Sequence, residues 1–332
     1  MRHHRFKAAC VALALGLSTT AVVACGDDEE EPAGGGGGGS AEKKDYKLTL
    51  IAGVKGDEFY ITMNCGAQAK AKELGVSLDF QGPDQFDPSL QTPIVNAVAA
   101  KKPDAILIAP TDTKAMYTPI KQAADAGAKI VFVDTTLEQS DIAESKIASD
   151  NEAGGREAAR ALAEQMGGSG KVFVVNVKPG ISTTDARAKG FEEGAKEAGL
   201  EYLGQDFSNN EPAKAASIIK AQLAKNPDLK GVFATNLFSA EGTANGVREA
   251  GKGGDVKIVG FDAGPAQVEQ LEKGDVQALV AQKPADIGAQ GVEQAVKALN
   301  GEPTEPEIGT ESVTITKENL ADSQDSLYKS SC

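Results

Sequence analysis

From Lys47 onward the chain alternates short β-branched runs with longer alanine-rich amphipathic stretches, and that alternation admits few architectures. Strands are expected at 48–52, 76–80, 105–109, 129–133, 171–175, 201–205, 231–234, 256–260 and 277–281. Between them, helical periodicity places helices at 63–74, 90–101, 114–126, 151–166, 187–198, 213–225 and 239–250. Strands that alternate with helices pair in parallel, and the helices cover both faces of the sheet. The fold class read from the sequence is α/β.

The alternation also repeats. Helices close on glycine just before the next strand at Gly75, Gly127, Gly199 and Gly251, and AKELGVSLDF in the first half has a counterpart, AKEAGLEYLG, in the second. Residues 46–332 number 287, large for one core and comfortable for two. Two doubly wound parallel-sheet lobes are predicted, with a ligand cleft between the carboxyl ends of their sheets.

The residues before this body read as an export signal and a tether. Arg2, His3, His4, Arg5 and Lys7 form a basic head, 8–23 is mostly apolar, and Val22-Val23-Ala24-Cys25 resembles a bacterial lipobox. The apolar run is shorter than the ~20 residues a membrane-spanning helix needs, so cleavage is expected. In the lipoproteins this motif resembles, the cysteine at the position of Cys25 receives diacylglycerol and holds the protein outside the cytoplasmic membrane. Residues 26–45, acidic and then an unbroken glycine run at 34–39, cannot bury apolar surface and read as flexible tether.

Charge and cysteine usage narrow the partners. The chain has 34 Lys and Arg against 48 Asp and Glu; three of the basic residues and none of the acidic ones precede Cys25, which leaves 31 against 48, a net −17. Such a body repels phosphate backbones, so nucleic acid is excluded as a partner. With Cys10 in the leader and Cys25 the lipidation residue, Cys65 and Cys332 remain, and in an exported protein two cysteines suggest one disulfide. The only histidines, His3 and His4, lie in the leader, which leaves a metal site without support. No cofactor is expected.

Polar and aromatic groups cluster in the loops after the predicted strands. They are Lys55, Asp57, Phe59 and Tyr60 after the first, Thr111 and Asp112 after the third, and Asp134 and Thr135 after the fourth. Lys178, Asp185 and Arg187 follow the strand at 171–175, and Asn236, Asp262 and Gln282 end later ones. Each taken singly also suits a helix cap or a turn. Gathered at strand carboxyl ends, they mark a cleft lining.

Over roughly 48–316 the sequence resembles periplasmic binding proteins of the ribose-binding type, which share their fold with the ligand-sensing domain of sugar-responsive repressors. The resemblance rests on ILIAPTD at 106–112, IASDNEAGGREAA at 147–159, VGFDAGP at 259–265 and AQKPADIGAQGVE at 281–293. It implies an extracytoplasmic, monomeric receptor that delivers a monosaccharide or polyol to ABC permease subunits in the membrane. Lobes 46–149 plus 282–312 and 150–281 plus 313–332 would then close about a hinge crossed near 148–150, 281–284 and 309–313. It further implies that Phe59 and Tyr60 stack on a sugar ring, that Asp134 and either Arg187 or Asp185 bind hydroxyls, and that Asn236, Asp262 and Gln282 are polar ligands of the second lobe and hinge. Lys55, Asp57 and Lys178 are additions to that set.

The sequence departs from the family pattern where Ala109, Thr135 and Leu237 replace the family's Asn, Arg and Asp, and it has no tryptophan. A ligand other than ribose is expected. A furanosyl-diol signal receptor is the alternative suggested by the similarity of 65–83 to autoinducer-binding relatives. Catalysis by the cleft carboxylates is a remote reading, since no nucleophile elbow, phosphate loop or metal spacing accompanies them.

Overall fold

A computed structural model of the protein describes residues 45–332. In chain order its strands are β1 (Lys47–Ile51), β2 (Ser77–Gln81), β3 (Ala105–Ile108), β4 (Lys129–Val133), β5 (Ser145–Ser149), β6 (Lys171–Asn176), β7 (Glu201–Phe207), β8 (Leu229–Ala234), β9 (Lys257–Phe261), β10 (Ala278–Ala281), β11 (Glu307–Thr310) and β12 (Val313–Thr316). The helices are α1 (Glu58–Leu74), α2 (Pro88–Ala100), α3 (Tyr117–Asp125), α4 (Asn151–Met166), α5 (Ser182–Glu197), α6 (Pro212–Lys225), α7 (Leu237–Glu249), α8 (Pro265–Lys273) and α9 (Pro284–Asn300).

The strands form two six-stranded sheets, ordered β11-β5-β4-β3-β1-β2 and β12-β10-β9-β8-β6-β7. Every pairing is parallel except β10 with β12. The predicted α/β class and two parallel-sheet lobes are therefore present. In each sheet the strand order reverses beside the first strand, between β1 and β3 and between β6 and β8, and open α/β sheets bind ligands at such points. The chain passes from one sheet to the other after β5, after β10, and between β11 and β12.

The strands are apolar on both faces because helices cover both. In β4, Ile130 and Phe132 pack with Ile106, Ile108 and Met116, while Val131 and Val133 point the other way, toward Leu107 and Val292. Glycine sets how closely some of the covering helices approach. A Cβ on Gly66 of α1 would lie 2.0 Å from Ala285 O of α9, and one on Gly190 of α5 would lie 2.0 Å from Glu152 O of α4.

The three strands absent from the sequence reading, β5, β11 and β12, are short and carry polar residues, as in SKIAS and EIGT. Their pairing comes from neighbouring strands rather than from a local apolar run. α8 and α9 also lie outside the periodic stretches. α1 starts five residues before its expected position because the Asp57 carboxylate caps it, accepting a hydrogen bond from Phe59 N at 2.9 Å. The expected leader, lipobox Cys25 and tether lie outside the described residues.

Candidate ligand-binding cleft

The loops at the strand carboxyl ends of the two sheets face each other across a cleft of about 390 Å3 that includes its mouth. Its first wall is Asp57, Phe59, Tyr60, Phe86 and Asp134; its second is Val177, Ile181, Thr183, Thr184, Arg187, Asn210, Asn236 and Asp262, with Gln282 at a crossing.

Buried polar side chains fix the loops that carry these groups. Gln91 of α2, fully buried, donates from Nε2 to Ala52 O and Ala109 O and accepts from Thr111 N, which joins the loops after β1 and β3. In the other lobe Asn176 Oδ1 accepts from Val177 N and Thr235 Oγ1, joining the loops after β6 and β8.

The two lobes contribute matching aspartates. Asp134 follows β4 with φ 66°, and Asp262 follows β9 with φ 78°. Each backbone N–H donates into the next strand, Asp134 N to Ile147 O and Asp262 N to Val280 O. Asp134 Oδ2 accepts from the Tyr60 hydroxyl at 2.7 Å. Burial is the main force raising the Asp134 pKa to about 6; the Arg187 charge and the Tyr60 bond oppose it. Asp57 is held well above the carboxylate range, first by burial and then by the charge of Asp262. Asp262 Oδ1 accepts from Gln282 Nε2 and from the Tyr328 hydroxyl, and Oδ2 accepts from Leu237 N.

Arg187 is 3% exposed and held from three sides. Nε donates to Asn151 Oδ1, Nη1 donates to Thr235 O, and the guanidinium lies 3.8 Å from the centre of the Phe261 ring. Nη2 makes no protein hydrogen bond among the described residues. The Thr184 hydroxyl is buried in the lining, also without a protein partner among the described residues. Phe59 and Tyr60 meet edge to face, with centroids 5.1 Å apart and planes at 86°.

The lobes touch at the rim. Lys178 Nζ donates to Phe86 O at 2.9 Å, Thr113 N to Gly180 O at 2.9 Å, and Thr136 N to Ser182 Oγ at 2.9 Å. This is a closed arrangement.

Of the residues singled out by sequence, the cleft gathers Asp57, Phe59, Tyr60, Asp134, Arg187, Asn236, Asp262 and Gln282. Three fall outside the lining, contrary to expectation. Lys55 is exposed on the loop after β1. Lys178 spans the rim to a backbone oxygen, and exposed Asp185 turns back to accept from Gly180 N at 2.8 Å. Phe86 and Asn210, in the loops after β2 and β7, were not among the residues expected from the sequence, although both loops are polar (GPDQFD at 82–87 and SNNE at 208–211). The suspected pair is joined, Cys65 to Cys332, with a Cα–Cα distance of 5.4 Å.

Residues 48–303 match the family model described as periplasmic binding protein domain. The chain is 30% identical over 266 residues to the ribose import binding protein of Bacillus subtilis (strain 168), covering 80% of this chain and 86% of that one. It is 32% identical over 272 residues to the D-ribose/D-allose-binding protein of Pseudomonas aeruginosa, covering 79% and 84%. An ABC transporter solute-binding protein from Agrobacterium vitis, solved with α-D-tagatopyranose, superposes with a TM-score of 0.84 at 45% identity, over 86% of this chain and all of the other.

Proposed function

Because the chain belongs to the periplasmic binding protein family, we propose that it is the extracytoplasmic receptor of an ABC importer and closes its lobes over one neutral monosaccharide. The observation that carries this reading is a closed cleft in which aromatic groups of one lobe face hydrogen-bonding side chains contributed by both lobes. On one side Phe59, Tyr60 and Phe86 offer apolar faces to ring carbons. Around the ring Asp57, Asp134 and Asp262 accept from hydroxyls, while Arg187 Nη2 and the Thr184 hydroxyl serve hydroxyl oxygens. Asp134 and Asp262 outnumber the one guanidinium of the lining, which disfavours sugar phosphates and uronates. The hinge consists of the crossings after β5, after β10 and between β11 and β12, and opening breaks the three rim bonds.

D-Tagatose is the first ligand to test, because the neighbour at 45% identity holds it; D-fucose, D-arabinose, D-allose and D-ribose follow. A sugar at 100 times its dissociation constant raises stability by about 2.7 kcal/mol, visible as a higher melting temperature. A response confined to neutral sugars supports the reading. Silence from all of them, or a larger response to a hexose phosphate, overturns it.

The receptor is proposed to act as a monomer anchored through lipid on Cys25. A Cys25→Ser chain should leave the membrane fraction that the natural chain occupies; equal membrane retention of the two would refute the anchor.

A further inference from the structure

We propose that residues 327–332 form a covalent strap across the lobes and that Tyr328 in this strap is a positioning residue for the ligand-binding carboxylate of Asp262. The inference rests on the reading of Asp262 as a ligand group. The end of the chain leaves the second lobe, where β12 pairs with β10, and reaches the first through Cys65 of α1. This makes a fourth link between the lobes, and the only one among the described residues closed by a side-chain bond.

The strap is bonded to both lobes. Tyr328 N donates to Ala263 O at 3.0 Å, beside Asp262, while Lys329 N donates to Thr62 Oγ1 at 2.7 Å, on α1 of the opposite lobe. The Tyr328 ring meets Phe59 at 5.9 Å between centroids. Its buried hydroxyl donates to Asp262 Oδ1 at 3.0 Å and accepts from Gln282 N at 3.0 Å. One phenol thus holds a cleft carboxylate from behind and fixes the crossing at Gln282.

The Asp262 carboxylate is held by three such bonds, from Leu237 N, Gln282 Nε2 and the Tyr328 hydroxyl. Only Lys329, Ser330 and Ser331 separate Tyr328 from Cys332. With the disulfide closed, four residue steps, at most about 14 Å, tie Tyr328 to the first lobe at Cys65 while its phenol and backbone N–H are bonded to the second at Asp262 and Ala263. With it open, the phenol loses that tether and the tail is free to leave both partners.

The test compares three forms of the full chain: natural, Tyr328→Phe, and natural protein reduced with dithiothreitol at 20 °C. Dithiothreitol gives two electrons and two protons, leaving thiols on Cys65 and Cys332 and its own cyclic disulfide. D-Tagatose affinity is measured by calorimetry, and hydrogen exchange is followed by mass spectrometry in the peptide spanning 278–287. The expected result is about tenfold weaker binding and faster exchange around Gln282 in both altered forms, with the near-ultraviolet dichroism of a folded protein. A merely structural disulfide would lower the melting temperature and leave affinity and exchange at 20 °C unchanged, which overturns the proposal. Should natural protein not bind D-tagatose, the choice of ligand fails, and the exchange comparison alone decides the strap.

Discussion

Replacing Asp134 with Asn separates stability from binding, because the two should move in opposite directions. Asparagine keeps the shape and tolerates the left-handed backbone, φ 66°, that position 134 requires. A buried carboxyl titrating near 6 instead of 3.8 costs the folded protein about 3 kcal/mol once it is ionised. That cost is already net of the Tyr60 bond, which opposes the rise in pKa, so the substitution should gain about 3 kcal/mol at pH 8, or roughly 5 °C for a chain of this size.

The gain should depend on pH in a defined sense. The pKa of the folded form lies above that of the unfolded chain, so between pH 4 and 6 the folded protein keeps a proton the unfolded chain has lost. Natural stability therefore falls through that window relative to the variant, levels off above it, and shows no advantage for the variant at pH 4. Ligand binding should weaken by about 10- to 100-fold, the loss expected when a hydroxyl forfeits a charged acceptor worth about 1.5–3 kcal/mol. Thermal melts at pH 4, 6 and 8, with calorimetry against the bound sugar, give both quantities. A variant that melts lower than the natural protein at pH 8, by the same margin as at pH 4, would refute the electrostatic account of Asp134.

Lys178→Ala removes one rim bond and leaves the cleft lining intact, so sugar should dissociate about fivefold faster with little change in association; stopped-flow tyrosine fluorescence, usable because the chain has no tryptophan, reads both rates. Unchanged dissociation would mean that the rim contact does not hold the closed form. Gly190→Ala forces a methyl to within 2.0 Å of Glu152 O, which overpacks the α4–α5 contact; a loss of about 1–3 kcal/mol in denaturant melts is expected, with weaker sugar binding because Arg187 lies one turn away on α5. Melting and affinity both at natural values would show that the helices separate without cost.

Most of the fold was legible because its strands are buried on both faces and stand out as apolar runs, as KIVFV does in β4. SKIAS does not stand out: Lys146 and Ala148 are only half-buried in β5, and the strand exists because β4 and β11 flank it. The candidate site was legible wherever a cleft-lining side chain directly follows such a strand, as Asp134 and Asp262 do. Lys178 and Asp185 satisfy the same positional rule, yet their side chains turn to backbone groups at the rim, a choice of direction that spacing does not encode. Tyr328 lay beyond any local rule, since it reaches Asp262 from 66 residues away.

The paired left-handed aspartates also limit how this receptor can diverge toward new ligands. Asp134 and Asp262 occupy backbone conformations that branched and bulky side chains avoid, so single substitutions that keep the loops intact are largely confined to asparagine and glycine. Neither can supply a cation or an apolar surface at the centre of the cleft. Drift in ligand preference therefore has to pass through positions on ordinary backbone, with Thr184, Asn236 and Phe86 as the open routes, around two acceptors that stay nearly fixed.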